Sequence, residues 1–150
     1  SRNNMKFADY SKGYVLKLEP GEELQESLQK FVAQKRIPSA FFQGIGALTN
    51  VELGYFSLAK NDYESHTYEG SYELITASGN ISRVHEVPFV HTHVVLSDEN
   101  CKPIAGHLLK GTVSITAEIF LFPMDVALIR KDGSSKLNFK ELDLPHLFVE

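Results

Sequence analysis

A chain of 150 residues with a net charge of −4 fits one domain able to bury a sizeable core. Its 43% hydrophobic and 23% charged content is that of an ordinary soluble fold, and the acidic balance excludes a surface that is one continuous nucleic-acid footprint, though not a local basic patch. Cys101 is the only cysteine, which excludes an intrachain disulfide and leaves nothing that requires an oxidising compartment.

No apolar run approaches the ~20 residues of a membrane span. Ser1 to Lys6 has no apolar signal region, so the expected location is the cytoplasm. Residues 1–12 read as an N-terminal tail, with Met5 either a native start or part of that tail. Residues 13–150 read as one domain.

Tyr14 to Leu18 predicts a strand, ended by Glu19-Pro20-Gly21. From Glu22 to Arg36 the period changes: Leu24, Leu28, Phe31 and Val32 fall at i, i+4, i+7 and i+8, one apolar stripe on a helix. Glu22 and Glu23 at its start and Lys35 and Arg36 at its end suit the helix dipole, and Pro38 enforces a stop. Ala40 to Leu48 is strand-like. Its Gly44-Ile45-Gly46 lacks the third glycine of a dinucleotide fingerprint and predicts a bulge or a close backbone approach. Thr49-Asn50 predicts a tight turn into a strand over Val51 to Ser57. Tyr63 to Tyr68 and Ser71 to Ile81 are further strands separated by Gly70, and Arg83 to Pro88 reads as a loop.

Phe89 to Leu96 is rich in β-branched and apolar residues, the composition of a strand, and carries His91-Thr92-His93. Alternation puts His91 and His93 on one face with α-carbons about 6.5–7 Å apart, a span that two imidazoles close around one ion. The turn-rich stretch from Ser97 to Pro103 lets Ile104 to Leu109 return antiparallel, so that His107 can join them. Three neutral imidazoles with an open fourth position form a zinc arrangement. The alternative is three ordinary strand histidines with local hydrogen bonds. Beyond them, Val113 to Phe122 and Val126 to Arg130 predict strands. Asp132-Gly133 signals a hairpin, with Ser135 to Phe139 returning and Leu142 to Glu150 as a tail. The whole predicts an α+β fold: a single compact domain, mostly antiparallel sheet with one long packing helix.

Taken together, Pro20-Gly21-Glu22, Gly44 to Ala47, Gly70 to Ile75, His91 to Asp98 and Gly106 to Gly111 occur in an order and spacing that resembles the plants-and-prokaryotes-conserved (PPC) domain, from about Tyr14 to Ile129. In plants this domain accompanies AT-hook DNA-binding motifs; stand-alone prokaryotic members often carry a DNA-binding label. The resemblance implies a homotrimer and a metal site, zinc first, at His91, His93 and His107. The Arg-Gly-Arg-Pro core of an AT-hook is absent from the chain.

Three functions compete at this point. A trimeric metal-binding protein with a small-molecule ligand or a reaction would need an acid or base, and Glu73, His85, Asp98 and Glu118 qualify by residue type. Each is equally well read as a solvated charge. Cys101 is an alternative fourth ligand for a closed structural site, although its turn should project away. A DNA-binding protein would use Lys30, Lys35 and Arg36, or Arg130 and Lys131 with Lys136 and Lys140. A protein-interaction module would present the trimer itself. Whether the chain is an enzyme is open, and no membrane partner is expected.

Overall fold

The computed structural model describes residues 4–133 and 136–149. In chain order the elements are β1 (Lys6–Tyr10), β2 (Gly13–Leu18), α1 (Leu24–Gln34), β3 (Ser39–Ser57), β4 (Asp62–Val84), β5 (Val87–Ser97), β6 (Pro103–Met124), β7 (Ile129–Asp132) and β8 (Lys140–Asp143). One sheet runs β1-β2-β6-β3-β4-β7-β8, and β5 bonds to both β4 and β6. That double pairing closes β3, β4, β5 and β6 into a ring. All the pairings are antiparallel except the single β4–β7 contact. This is the α+β architecture expected. Among the described residues no helix is long and apolar enough to cross a membrane.

The helix forms where its stripe predicts. Leu24, Leu28, Phe31 and Val32 are all buried, together with Leu16, Leu18, Val94, Leu96, Ile119 and Leu121 of the sheet. Its ends differ in detail. Glu23 is the N-cap: its carboxylate accepts from the Gln25 and Glu26 amides and also from the Gly111 amide at 3.1 Å, which ties the helix start to β6. Glu22 turns inward, 7% exposed, and accepts the amides of Asn4, Met5 and Glu19. The anchoring of Asn4 and Met5 leads into β1, which occupies Lys6–Tyr10 within the stretch expected as a tail and pairs Lys6 with Lys17.

Several predicted breaks are continuous strand. Asn50 takes a left-handed φ of 50° and Gly70 a φ of 87°; together they form a bulge across which β3 and β4 keep pairing, so Thr49-Asn50 is not a turn. The expected loop from Arg83 to Pro88 contracts to a two-residue hairpin. His85 and Glu86 both have positive φ, which matches the right-handed strand twist. Val126 to Leu128 lie outside the strand that begins at Ile129; the Val126 carbonyl accepts the Ser39 hydroxyl and the Leu128 carbonyl accepts the Arg83 amide of β4. The return strand is β8 at Lys140–Asp143 rather than residues 135–139. Ser134 and Ser135 of the expected hairpin lie outside the described residues, as do residues 1–3 and Glu150.

Candidate metal centre

Each face of β5 has its own task. Thr92, Val94 and Leu96 face the core, each 2% exposed or less, and α1 packs behind them. Gln25 of α1 accepts the Thr92 hydroxyl at 2.6 Å, and its amide donates to the carbonyls of Val90 and Leu108 at 3.3 Å each. One helix side chain thus holds β5 and β6 at the residues directly flanking His91 and His107. Gly79, paired with Thr92, permits the approach of β4. A Cβ there would lie 1.9 Å from the His91 carbonyl oxygen, closer than any real contact.

The opposite face of β5 presents His91 and His93. His107 is the direct cross-strand partner of His93, and Gly54 of β3 flanks it on the other side. The ring centroids lie 5.0 Å (His91–His93), 5.2 Å (His91–His107) and 5.6 Å (His93–His107) apart. One donor nitrogen from each comes within 4.8 Å of the others. Zinc bonds of about 2.0–2.1 Å in a tetrahedron put nitrogens about 3.3 Å apart, a gap that small side-chain rotations close. His107 Nδ1 is buried and has no hydrogen-bond partner. A buried polar atom in that state calls for a partner such as an ion or a water.

Burial favours the neutral form of His91 and His107, the form a metal requires. Burial, then Arg130, then the other two histidines push His91 down to about 4. Burial and then His93 hold His107 below its ordinary value. The Tyr63 ring stacks on His107 at 4.6 Å and 23°, and burial raises its phenol above the usual value despite Arg130 nearby. Two open cavities flank the triad and share Tyr63 and His107. One, about 640 Å³, is bordered by His93, Thr76 and Ser78; the other, about 520 Å³, by His91, Asn80 and Arg130. Both volumes are of small-ligand size.

The other named candidates sit elsewhere. Glu73 is exposed on β4 opposite Ser97, about 13 Å along the strand from the His93 position. His85 is in the β4–β5 hairpin turn. The Asp98 carboxylate accepts the amides of Asn100 and Lys102 and organises the β5–β6 turn. Glu118 is exposed on β6 beside Lys17 of β2. Cys101 is exposed in the turn beyond Ser97. None of these lines either cavity. The sequence reading did not place Tyr63, Asn80 or Arg130 at the triad. Arg130 had a signal: a charge closing the apolar run Val126 to Ile129 needs a polar partner.

A stretch of 110 residues is 29% identical to a bifunctional protein GlmU of Synechococcus sp. strain JA-3-3Ab, covering 72% of this chain but only 16% of that protein. The fold matches a plant- and prokaryote-conserved (PPC) protein of Pyrococcus horikoshii with a TM-score of 0.81 and 34% identity, covering 97% of this chain and 99% of that one. A metal-containing protein of Archaeoglobus fulgidus matches with a TM-score of 0.81 and 25% identity, over 96% of this chain and 99% of that one. A "putative DNA binding protein" of Bacteroides thetaiotaomicron shares the fold with a TM-score of 0.89 at 23% identity, over 94% and 98% of the two chains. The Plants and Prokaryotes Conserved (PCC) domain model matches residues 5–125. The chain belongs to the Plants and Prokaryotes Conserved domain family.

Proposed function

We propose that this protein is a homotrimer in which each chain holds one divalent transition metal, zinc first, on His91, His93 and His107, with the fourth position open to a small ligand. The convergence of three imidazoles, one with an orphaned buried nitrogen, carries the reading. The metal-containing relative of Archaeoglobus fulgidus supports it. A metal held this way acts as a Lewis acid and lowers the pKa of bound water towards 7. The chain's own contribution is to keep His91 and His107 neutral by burial, hold their strands through Gln25 and line the approach with Tyr63. No acid or base among Glu73, His85, Asp98 and Glu118 reaches the site, so the reading is ligand binding at the metal, with any reaction left to the metal and its ligand.

The trimer is supported by apolar side chains exposed on the sheet. Phe41 and Ile45 of β3, Ile75 of β4, and Ile115 and Phe120 of β6 are each between 46% and 63% exposed. Phe41 stacks on Phe122 at 4.7 Å and is paired with Asn80, which is paired with His91. An apolar surface of this kind marks an interface. It begins about 10 Å from the triad, two strand spacings away.

The competing reading is DNA binding, as the Bacteroides relative's name has it. Lys30 is paired with Glu26 at 2.8 Å, Lys131 with Asp143 at 3.2 Å, and Lys140 with Asp132. Lys35 lies over the Phe7 ring. Pairing Lys30, Lys131 and Lys140 with carboxylates weakens the patches as phosphate contacts. Native mass spectrometry tests both claims at once. The expected result is a trimer with three zinc ions. Metal-free monomers, or DNA binding that survives physiological salt with no metal in the protein, would overturn the reading.

A further inference from the structure

We propose that the cavity between His91 and Arg130 is a carboxylate subsite, in which Arg130 holds the carboxylate of a small organic acid whose other end faces the triad. This rests on the metal reading above. Arg130 is 8% exposed. A guanidinium has five N–H donors and no acceptor. Nε donates to the Ser82 hydroxyl at 2.8 Å, Nη1 to the Lys140 carbonyl at 3.1 Å, and Nη2 to Asn80 Oδ1 at 2.7 Å. The second N–H of Nη2 faces His91 Nδ1 at 3.3 Å. The second N–H of Nη1 has no acceptor among the described residues. Every partner is neutral, and among the described residues no salt bridge reaches Arg130. Neutral groups therefore fix the orientation of the guanidinium and leave its charge uncompensated. A buried cation so arranged is built for an anion.

The metal sharpens the imbalance. A divalent ion on three neutral imidazoles beside Arg130 places three positive charges at the site. Glu141 is the one carboxylate among the described residues lining this cavity, and the Lys140 ammonium there is matched by Asp132. The site therefore keeps an excess of positive charge that a bound anion offsets. Loading the metal also frees the fork. His91 coordinating through Nε2 carries its proton on Nδ1, and coordinating through Nδ1 it has no lone pair left. Either way the Nη2 donor loses its acceptor and joins the spare Nη1 donor, a pair suited to bidentate capture of a carboxylate.

The walls favour an organic acid over phosphate. Phe89, whose ring centroid is 5.3 Å from the Arg130 guanidinium carbon, Phe139 and Leu142 offer an apolar seat. Two free donors suit a single carboxylate, whereas a phosphate dianion would need further donors that this cavity has already committed.

Cobalt(II)-loaded protein tests the proposal without any assay of activity: its visible spectrum reports the cobalt content, and calorimetric titration reports ligand binding. Benzoate, methyl benzoate and inorganic phosphate are titrated into the unaltered protein, Arg130→Gln and Arg130→Lys. Benzoate is expected to bind at least tenfold more tightly than its methyl ester. Its affinity should fall tenfold or more in Arg130→Gln, with an intermediate loss in Arg130→Lys, at unchanged cobalt content. Equal benzoate binding in Arg130→Gln would overturn the subsite and leave the metal reading intact. If that variant does not fold, equal binding of acid and ester by the unaltered protein overturns it instead. Phosphate binding tighter than benzoate would overturn the carboxylate assignment. Failure of the unaltered protein to take up cobalt would overturn the metal reading, and the subsite with it.

Discussion

The two faces of β5 carry alternate residues of one strand and show opposite kinds of order. On one, Thr92, Val94 and Leu96 are packed to near-zero exposure under α1. On the other, His91 and His93 stand half-buried to exposed beside His107, with two cavities against them. The first face is held by hydrophobic burial and by Gln25; the second has an unpartnered nitrogen and an unneutralised guanidinium. Rigidity on the core face is what allows incompleteness on the other, because imidazoles that converge without a metal must be aimed from behind.

Breaking the core face has the largest expected effect. Leu96→Ala should cost about 2–5 kcal/mol, read as a lowered urea midpoint, and should loosen the triad secondarily. Zinc is next. At a hundredfold excess over Kd it should stabilise the protein by about 2.7 kcal/mol in thermal or chemical melts, and the gain should vanish in His91→Ala/His93→Ala/His107→Ala. Thr92→Val keeps the shape but leaves the Gln25 side-chain oxygen without its donor, at about 1–3 kcal/mol.

Acid offers a finer test on metal-free protein. The folded-state pKa of His91 is pushed down to about 4 and that of His107 is also lowered, against an unfolded value near 6.5. Between these values the unfolded chain binds more protons, so stability is full above about pH 6.5 and is lost as pH falls towards about 4. Replacing His91 and His107 by Gln should flatten that slope in melts recorded across the window. The smallest effect on folding is expected from Phe120→Lys and Ile45→Lys on the exposed sheet surface. Each should change folding stability within about 0.5 kcal/mol yet disperse the assembly in sedimentation experiments.

The helix was legible because its apolar stripe is local, although it ends at Gln34, with Lys35 as C-cap and Arg36 left-handed, rather than running to Arg36. The histidine pairing was legible because strand alternation and a short turn leave few ways for residues 91, 93 and 107 to lie. The long strands were less legible. Asn50 and Gly70 are turn residues by type, but with both partners of the β3–β4 pair continuing, the same left-handed backbone makes a bulge. Arg130 and Tyr63 were invisible as site residues because they reach the triad from β7 and from the start of β4. Those placements depend on the sheet closing into a ring, which no spacing in the sequence encodes.

The most direct test of the central claim is calorimetric titration of zinc into chelator-treated protein, with the triple-alanine variant alongside. The account predicts one zinc per chain for the native protein and no binding by a variant that still folds. Native protein that takes up no zinc, or a variant that binds it equally well, would contradict the assignment of His91, His93 and His107 as a metal centre.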